Sequence, residues 1–393
     1  MKTEKKTPDF KMTATTLAGL EEILAIELRE MGARNVKLAH RAVHFSGDLG
    51  TLYKVNFRSR FAIRVLKPIK SFIANSEEVF YQLAKTIPWE TIIQPESTFA
   101  VHAVLHSEAF THSGFMALRC KDAIVDCIRD KRGERPNVNV ESPDVSINVH
   151  INVHDCTISL DSTGDSLHRR GYRIITGQAP LNEVLAAGMV ELSGWNPNTP
   201  FVDGMCGSGT LAIEAAIKAL QIPPGIFRKE PYGFERWDDF DKDLMEAIVE
   251  SCMKRILDRK VDIRASDMHS NVISKARKNI YNAELEDDIM SEVKEFSEVV
   301  PPPGPGTIVL NPPYGERMDK EDIDALYKRM GDTFKQNFKG YTCFILTSNL
   351  EALKSVGLRT TSRTILFNGA LECRFARYDI YEGTKKVREI EEI

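Results

Sequence analysis

The amino-acid sequence predicts an α/β fold in two successive parts, and three observations support that prediction. In residues 181–393, short apolar runs alternate with amphipathic stretches, which is typical of parallel strands connected by helices. A glycine-rich turn, Asp203 to Thr210, directly follows one of these runs. In the front part, Ile147 to His154 alternates apolar and polar residues with period two, as a half-buried strand does.

The front part is expected to contain small α+β units. Apolar residues recur at helical spacing from Leu17 to Leu28, and Gly32 closes that helix. The other predicted elements are a strand at Val43–Gly47, a helix at Leu49–Val55, a helix near Ser76–Thr86, a strand at Thr98–His106, a helix at Ala117–Arg129 and strand structure within Ser146–Leu160. His150 and His154 are expected to share the polar face of the last segment, which favours a solvated or RNA-facing surface over a metal site.

The polar, arginine-containing stretch 161–173 predicts a connector, so the main boundary is expected between about 165 and 180. Behind it, Asn368-Gly369 separates two strand-like runs and indicates a final antiparallel hairpin. Gln221–Asp241 is expected to be an insertion. The remaining predicted elements are strands at Phe201–Asp203, Val261–Ser266, Val293–Phe296, Thr307–Leu310 and Tyr341–Leu346, and helices at Thr210–Leu220, Asn271–Tyr281 and Asp322–Phe338.

Composition excludes several classes of protein. The 393 residues are 42% apolar and 27% charged, as in globular proteins, with a net charge of −4. Residues 1–180 carry 24 Lys and Arg against 21 Asp and Glu, whereas the rest is acidic. The seven scattered cysteines form no CxxC pair, so we expect reduced thiols in a cytoplasmic protein without a metal site. No apolar run is long enough to span a bilayer, and the N-terminus lacks the apolar segment of a secretory signal.

The glycine-rich turn predicts a ligand site. Glycines let the backbone approach a ligand closely, and in an open α/β sheet ligands bind at the carboxyl ends of the strands. The turn lacks the Lys-Ser/Thr ending of a phosphate-binding Walker loop, which excludes most nucleoside triphosphatases. Asp267, at the end of the next predicted strand, suits ribose hydroxyl groups because a carboxylate accepts two hydrogen bonds.

Asn311-Pro312-Pro313-Tyr314 follows the predicted strand Thr307–Leu310 and favours one chemistry. The prolines stop the strand and stiffen the turn. The side-chain oxygen of Asn311 and the main-chain oxygen of Pro312 form a pair of acceptors, and Tyr314 adds an aromatic face. An amino group on a planar base fits there, because it can donate both hydrogens and stack on the ring.

These motifs, together with Gln178–Glu183, SLHRRGYR and NPPYGER, resemble the bacterial THUMP-domain class I S-adenosylmethionine-dependent RNA methyltransferases, in particular the N-terminal guanine-N2 part of the 23S ribosomal RNA enzyme. The resemblance covers roughly residues 10–382. It implies a ferredoxin-like subdomain (1–66), an RNA-binding THUMP domain (67–165), a linker (166–180) and a Rossmann-like domain with a mixed seven-stranded sheet (181–393). The larger relatives carry a second methyltransferase domain, and no such domain is expected within these 393 residues.

The resemblance also implies roles for individual residues. Tyr314 and its three predecessors would hold the target amine. Asp267 would hold the cofactor ribose, and Glu295 with Phe296 would lie near the adenine. The glycine-rich turn would line the methionine moiety through Asp203, Gly204, Cys206, Gly207, Gly209 and Thr210. Cys206 is interpreted as a packing residue, because the cysteine nucleophile of other RNA methyltransferases follows the fourth strand.

The expected activity is therefore methyl transfer to a guanine N2 in RNA, most simply 23S ribosomal RNA. The alternatives are a transfer-RNA guanine, a DNA adenine N6, a protein glutamine N5, or an inactive RNA-binding or assembly factor. For phosphate contacts the sequence offers two basic groups: Lys131, Arg132 and Arg135, and Arg169, Arg170 and Arg173.

Overall fold

The chain folds as two units, and this computed structural model describes residues 8–175, 181–313 and 319–381. Within those ranges, the first unit contains residues 8–16, 24–167 and 229–252. The second unit contains 17–23, 168–228 and everything described after 252. Across the described residues, no helix is both long and apolar enough to cross a membrane.

The first unit is built on one eight-stranded sheet with the strand order β2-β3-β1-β4-β8-β7-β5-β6. Its first half has the order of helices and strands expected of a ferredoxin-like unit. The elements in chain order are β1 (Phe10–Thr15), α1 (Glu21–Glu30), β2 (Arg34–Ala39), β3 (Ala42–Gly47), α2 (Leu49–Arg58), β4 (Arg64–Ile73), α3 (Glu77–Lys85), β5 (Thr98–His106), α4 (Ser113–Arg132), β6 (Asn137–Val138), β7 (Val145–Asn152) and β8 (Asp155–Asp161).

The structure of β7 and β8 differs from the prediction for Ser146–Leu160. Ser146–Leu160 is an antiparallel hairpin rather than one strand, because Val153 adopts a positive φ of 57° and reverses the chain. His150 stays on the exposed side of β7, but His154 lies in the turn. The prediction that both histidines share one strand face is therefore wrong for His154.

The predicted insertion, Gln221–Asp241, is divided between the units: residues 221–228 belong to the second unit and residues 229–241 to the first. In the first unit the chain continues as α7 (Lys242–Met253), of which residues 242–252 belong to that unit. The ring of Phe234 stacks on Tyr53 with 4.4 Å between centroids, and the backbone N–H of Asp241 donates to the Tyr53 hydroxyl at 2.9 Å. Aromatic burial and this hydrogen bond hold the segment against α2.

The second unit contains a seven-stranded sheet with the order β11-β10-β9-β12-β13-β15-β14, in which only β15 runs antiparallel to the other strands. The predicted mixed seven-stranded sheet and its final hairpin are confirmed. The elements are α5 (Glu183–Leu192), β9 (Phe201–Asp203), α6 (Thr210–Leu220), β10 (Ile263–Asp267), α8 (Ser270–Asn282), β11 (Ile289–Val293), β12 (Thr307–Leu310), α9 (Lys320–Asn337), β13 (Thr342–Thr347), α10 (Ala352–Ser355), β14 (Ser362–Asn368) and β15 (Leu371–Asp379).

The predicted bounds of one strand of this sheet are wrong. The third strand is Ile289–Val293, not Val293–Phe296, and Phe296 begins a short 3₁₀ helix. As an edge strand, β11 leaves Met290 and Val293 exposed and contains Glu292. It therefore lacks the continuous apolar pattern that identifies the inner strands.

Candidate active site

Three strands end side by side at the carboxyl edge of the second sheet. β9 is the middle strand and pairs in parallel with β10 on one side and β12 on the other. The strands that follow β9 directly in the chain, β10 and β11, lie on one side of it, and β12 and β13 lie on its other side. The strand order therefore reverses at β9. Such a reversal opens a crevice at the carboxyl ends of the strands. Asp203, Asp267 and Asn311 all lie at this edge.

Asp203 ends β9 and is fully buried. Neither carboxylate oxygen has a hydrogen-bond partner among the described residues. Burial raises the pKa of this carboxyl group to about 8, and the charge of Asp267 adds to the shift; the nearby N–H groups of Met205 and Ala212 offset part of it. A buried carboxylate without a counter-ion is unfavourable unless a cation neutralises it. Asp203 is therefore suited to receive a cationic ligand group.

The turn after Asp203 needs glycine at specific positions. Gly207 and Gly209 have positive φ angles of 54° and 84°, which other residues rarely adopt. A Cβ atom on Gly204 would lie 2.5 Å from Cδ2 of Phe296, so only glycine lets the turn and this ring pack together. The turn is thus a close-packed backbone cradle beside the Asp203 carboxylate.

Asp267 ends β10 and faces the same turn. Its Oδ2 accepts the N–H of Gly207 at 3.3 Å, and its Oδ1 accepts the N–H of His269 at 3.1 Å. The side chain is only half-buried, so remaining lone pairs are open to a ligand. The next residue, Met268, is 60% exposed although it is apolar. Met268 was not among the predicted site residues, although its apolar side chain directly after a strand-end acid is visible in the sequence.

Phe296 and Glu295 follow β11 but lie in different environments. Phe296 is buried and stacks on Phe338 at 5.8 Å between centroids. Glu295 is exposed. Phe296 therefore forms part of the wall beneath Gly204, whereas Glu295 is free to reach a ligand from solvent.

Asn311 directly follows the buried strand β12. Its Oδ1 atom is buried and has no hydrogen-bond partner among the described residues. Pro312 is buried and Pro313 is exposed, whereas Tyr314 lies outside the described residues. An unpaired buried amide oxygen costs about 1–3 kcal/mol unless a donor reaches it. The Oδ1 atom of Asn311 is thus an acceptor that a ligand's hydrogen-bond donor can satisfy.

Cys206 has the environment of a packing residue. The thiol is 6% exposed, and the backbone N–H donates to the Ser266 carbonyl at 2.9 Å. Burial, and then the charges of Asp203 and Asp267, raise the pKa of the thiol well above its ordinary value. A protonated thiol is a poor nucleophile, which argues against covalent catalysis by this residue.

Two of the predicted RNA-contacting arginines are buried in the second unit. Arg170 is 2% exposed and pairs with Glu214 on α6, with Nε at 3.4 Å from Oε1. Arg173 donates from Nη2 to the Leu181 carbonyl at 2.6 Å and to the Thr210 hydroxyl at 2.8 Å. Side chains enclosed by protein partners are not available to RNA phosphates. The burial contradicts the phosphate roles predicted for both.

Arg173 instead positions the glycine-rich turn. Thr210 is the first residue of α6, directly after Gly209, and is 3% exposed. Because its hydroxyl accepts from Arg173, Thr210 fixes the start of the helix. Its predicted direct contact with the cofactor remains a prediction.

The other four basic residues differ in accessibility. Lys131 is 52% exposed and pairs with Glu90, and Arg132 donates to the carbonyls of Ile93 and Glu90. Arg135 and Arg169 are exposed. Arg135 and Arg169 therefore retain the predicted availability for phosphate contacts, whereas Lys131 and Arg132 have internal partners.

Asn279, a residue that the sequence analysis missed, also holds the glycine-rich turn. It lies on α8, is completely buried, and donates from Nδ2 to the carbonyls of Ser208 and Ile175, each at 3.0 Å. Its Oδ1 accepts the N–H groups of Ile174 and Ile175 at 3.0 and 3.2 Å. The sequence contained a signal for this role, because Asn279 is a polar residue on the apolar side of α8, among Ile273, Ala276 and Ile280.

Replacing Asn279 with alanine is expected to weaken S-adenosylmethionine binding about tenfold, because the turn loses the contact that fixes Ser208. The matched control is Asn282→Ala on the same helix, which removes two hydrogen bonds to the Gly171 and Tyr172 carbonyls but none to the turn. Calorimetric titration with the cofactor measures both variants. Equal affinities in the two variants would contradict a positioning role for Asn279.

Comparison with known families and structures agrees with this geometry. Residues 170–377 match the RMKL-like methyltransferase domain, residues 74–161 the THUMP domain, and residues 11–66 the RlmL ferredoxin-like domain. The chain is 39% identical to the Synechocystis protein slr0064, which bears the name of an RNA methyltransferase, over 94% of this chain and 96% of that protein.

Two further proteins are similar over nearly the whole chain. Ribosomal RNA large subunit methyltransferase K/L of Methylococcus capsulatus is 38% identical over 98% of this chain, which spans only 55% of that longer protein. The crystal structure of SMU.472, a protein described as a methyltransferase and solved with SAH, superimposes with a TM-score of 0.86 at 29% identity, over 96% of this chain and 99% of that one. The chain therefore belongs to the family of S-adenosylmethionine-dependent methyltransferases that combine RlmL ferredoxin-like, THUMP and RMKL-like methyltransferase domains.

Proposed function

We propose that the protein transfers a methyl group from S-adenosylmethionine to the exocyclic N2 of a guanine in RNA, with 23S ribosomal RNA as the substrate. One observation carries the proposal: among the residues that the structure describes, the buried Oδ1 atom of Asn311 has no hydrogen-bond donor, and it lies at the same sheet edge as the Asp203 carboxylate, whose oxygens likewise have no hydrogen-bond partner there. The Asp203 carboxylate is suited to a cation, which the α-ammonium group of S-adenosylmethionine would supply. The Oδ1 atom of Asn311 is suited to a hydrogen-bond donor, which the amino group of a base would supply.

The residues at the edge fit the cofactor. The Asp203 carboxylate would neutralise its ammonium, and the cradle of Gly204, Gly207 and Gly209 leaves room for its methionine portion against the backbone. The half-buried carboxylate of Asp267 would accept its ribose hydroxyls. When bound, the cofactor supplies an electrophilic methyl group on a positively charged sulfur.

Asn311 would act by orienting the target amine. The lone pair of a guanine N2 is delocalised into the ring, which makes the amine a weak nucleophile. Two acceptors, Oδ1 of Asn311 and the carbonyl oxygen of Pro312, would hold its two hydrogens and direct the lone pair out of the ring plane. This is catalysis by positioning, and the proton leaves after the new bond has formed.

The THUMP domain and the named relatives support RNA as the substrate. The THUMP match covers 74–161, and the Methylococcus relative is named for large-subunit ribosomal RNA. A base within folded RNA must be turned out of its stack to reach a pocket at the sheet edge. Single-stranded loops of ribosomal RNA meet that need at the lowest cost.

Nucleoside mass spectrometry tests the proposal. Purified protein is incubated with labelled S-adenosylmethionine and either protein-free 23S ribosomal RNA or bulk transfer RNA, and the digested products are separated. We expect N2-methylguanosine in the 23S RNA only. N2-methylguanosine confined to transfer RNA would replace the proposed substrate, and N6-methyladenine or methylglutamine as the product would overturn guanine-N2 specificity.

A further inference from the structure

The outward side of α8 carries an uncovered tyrosine. The helix packs Ile273, Ala276 and Ile280 into the second unit, where all three are buried. On its other side Tyr281 is 72% exposed, more than any other large apolar or aromatic side chain among the described residues. An aromatic ring in water gains free energy when a partner covers it, so this side of α8 is suited to a contact.

An open groove lies beside Tyr281. Its volume is about 510 Å³, and the residues that line it include Ile174, Ile280, Ile289 and Tyr281 itself. Ile174 is 55% exposed, whereas Ile280 and Ile289 are buried. The groove therefore places apolar surface next to the exposed ring, and its volume is sufficient to receive an aromatic side chain from a partner.

Charged side chains of opposite sign lie on the two sides of Tyr281 along the chain. Lys278 precedes it by three residues, Glu284 follows it by three, and both are exposed. Because a helix rises 1.5 Å per residue, each charge lies about 4.5 Å from Tyr281 along the axis, with Glu284 just beyond the helix end. Arg277 extends the basic side and Glu286 the acidic side. We call these five residues the α8 face.

The acidic side of the α8 face has a surplus of negative charge. Within the described part of the chain, Lys278, Glu284 and Glu286 take part in no ion pair. Burial, and then the charges of Asp287, Asp258 and Glu286, raise the pKa of Asp288 above its ordinary value. A nearby cation would relieve this repulsion, whereas the phosphates of RNA would add to it. The charges therefore favour a partner that carries both signs.

We propose that the α8 face binds a second copy of the same chain, in a dimer with two-fold symmetry. The two α8 helices lie antiparallel with Tyr281 near the axis, and each ring enters the groove of the other copy. Lys278 of each copy then faces Glu284 of the other, because both residues are equally distant from Tyr281 on opposite sides. A two-fold interface requires such self-complementarity. The proposal does not depend on the proposed function, since none of these residues lies at the edge that holds Asp203 and Asn311.

Sedimentation velocity of the full chain tests the proposal. Protein concentrations from about 1 to 100 μM cover the range in which a small interface gives a measurable equilibrium. We expect a monomer–dimer equilibrium that depends on concentration and weakens as the salt concentration rises. Tyr281→Ser should weaken dimerisation at least about tenfold, since the aromatic anchor of the interface is lost.

Charge reversal tests the orientation of the two copies. Lys278→Glu and Glu284→Lys should each weaken dimerisation at least about tenfold, because the two-fold axis places like charges opposite each other twice. The double variant Lys278→Glu/Glu284→Lys should recover most of the wild-type affinity. The matched control is Lys242→Glu/Glu246→Lys, which reverses an exposed ion pair on α7 and should leave the equilibrium unchanged.

Each outcome decides for or against the dimer. A wild-type protein that stays monomeric up to about 100 μM would overturn the proposal, and if Lys278→Glu then weakened RNA binding, RNA would replace the second copy as the occupant. Dimerisation that both single reversals leave unchanged would overturn the α8 face as the interface. Loss in the single variants and recovery in the double variant, with wild-type melting temperatures, would support the two-fold arrangement.

Discussion

Asn311→Ala is expected to lower the methyl-transfer rate at least about 100-fold, while the affinity for S-adenosylmethionine changes less than about threefold. The size follows from removing one pre-positioned hydrogen-bonding group from an active site. The reason for the split is geometric: Oδ1 of Asn311 is the buried acceptor proposed for the target amine, whereas the proposed cofactor contacts come from β9 and β10. Single-turnover rates and calorimetric cofactor titration measure the two effects separately.

Two further variants sharpen this prediction. Asn311→Asp keeps an acceptor oxygen at the same position and should retain more activity than Asn311→Ala. Asn198→Ala is the matched control, because Asn198 is exposed and precedes β9 at the opposite edge of the sheet. Undiminished turnover in Asn311→Ala would contradict the amine-holding role.

Asp203→Asn is expected to weaken cofactor binding about 30-fold or more and, at the same time, to stabilise the cofactor-free protein. The pKa of this carboxyl group is about 8 in the folded protein and 3.8 ordinarily. Between those values the unfolded chain releases a proton that the folded chain retains, so the folded state loses stability as the pH rises from about 4 to 8. The neutral asparagine removes that loss, and its stabilising effect should be larger at pH 7.5 than at pH 5.

The same carboxyl group predicts a pH dependence of cofactor affinity. Below pH 7.5 the cofactor ammonium stays charged, since an α-amino group has a pKa near 8. The ammonium favours the ionised carboxylate, so the wild-type affinity should fall as the pH drops from 7.5 to 5.5, by at most tenfold per unit. Asp203→Asn should remove this dependence.

Calorimetry and thermal unfolding together check the role of Asp203. The matched control is Asp262→Asn, a partly exposed carboxylate directly before β10, which pairs with Arg264. A variant Asp203→Asn that binds the cofactor as tightly as wild type, or that melts at a lower temperature without cofactor, would contradict the account of a carboxylate kept in an unfavourable state for a cationic ligand.

Much of the fold could be predicted because its signals are local. Alternating apolar runs and helical spacing identify the inner strands of the second sheet, and Asn368-Gly369 identifies its final hairpin. The acids and the amide at strand ends, Asp203, Asp267 and Asn311, could be selected because parallel strands bring their carboxyl ends to one edge. Edge strands such as β11 gave weaker signals, since their exposed faces carry polar residues.

The errors concern partners that are distant in sequence. Arg170 was expected to face RNA, but its partner Glu214 is 44 residues away and the pair is buried. Nothing local separates a buried arginine from a solvated one. Asn279 was missed for the same reason, since the carbonyl of Ser208 that it contacts precedes it by 71 residues.

The most direct test of the central claim is a crystal structure of the protein with SAH and a short RNA that carries the methylated guanine. The account predicts that the guanine N2 lies about 2.7–3.2 Å from Oδ1 of Asn311, the range of a normal hydrogen bond. It also predicts that the Asp203 carboxylate contacts the cofactor ammonium. A guanine amine held by other acceptors, with Asn311 turned away from the cofactor sulfur, would contradict it.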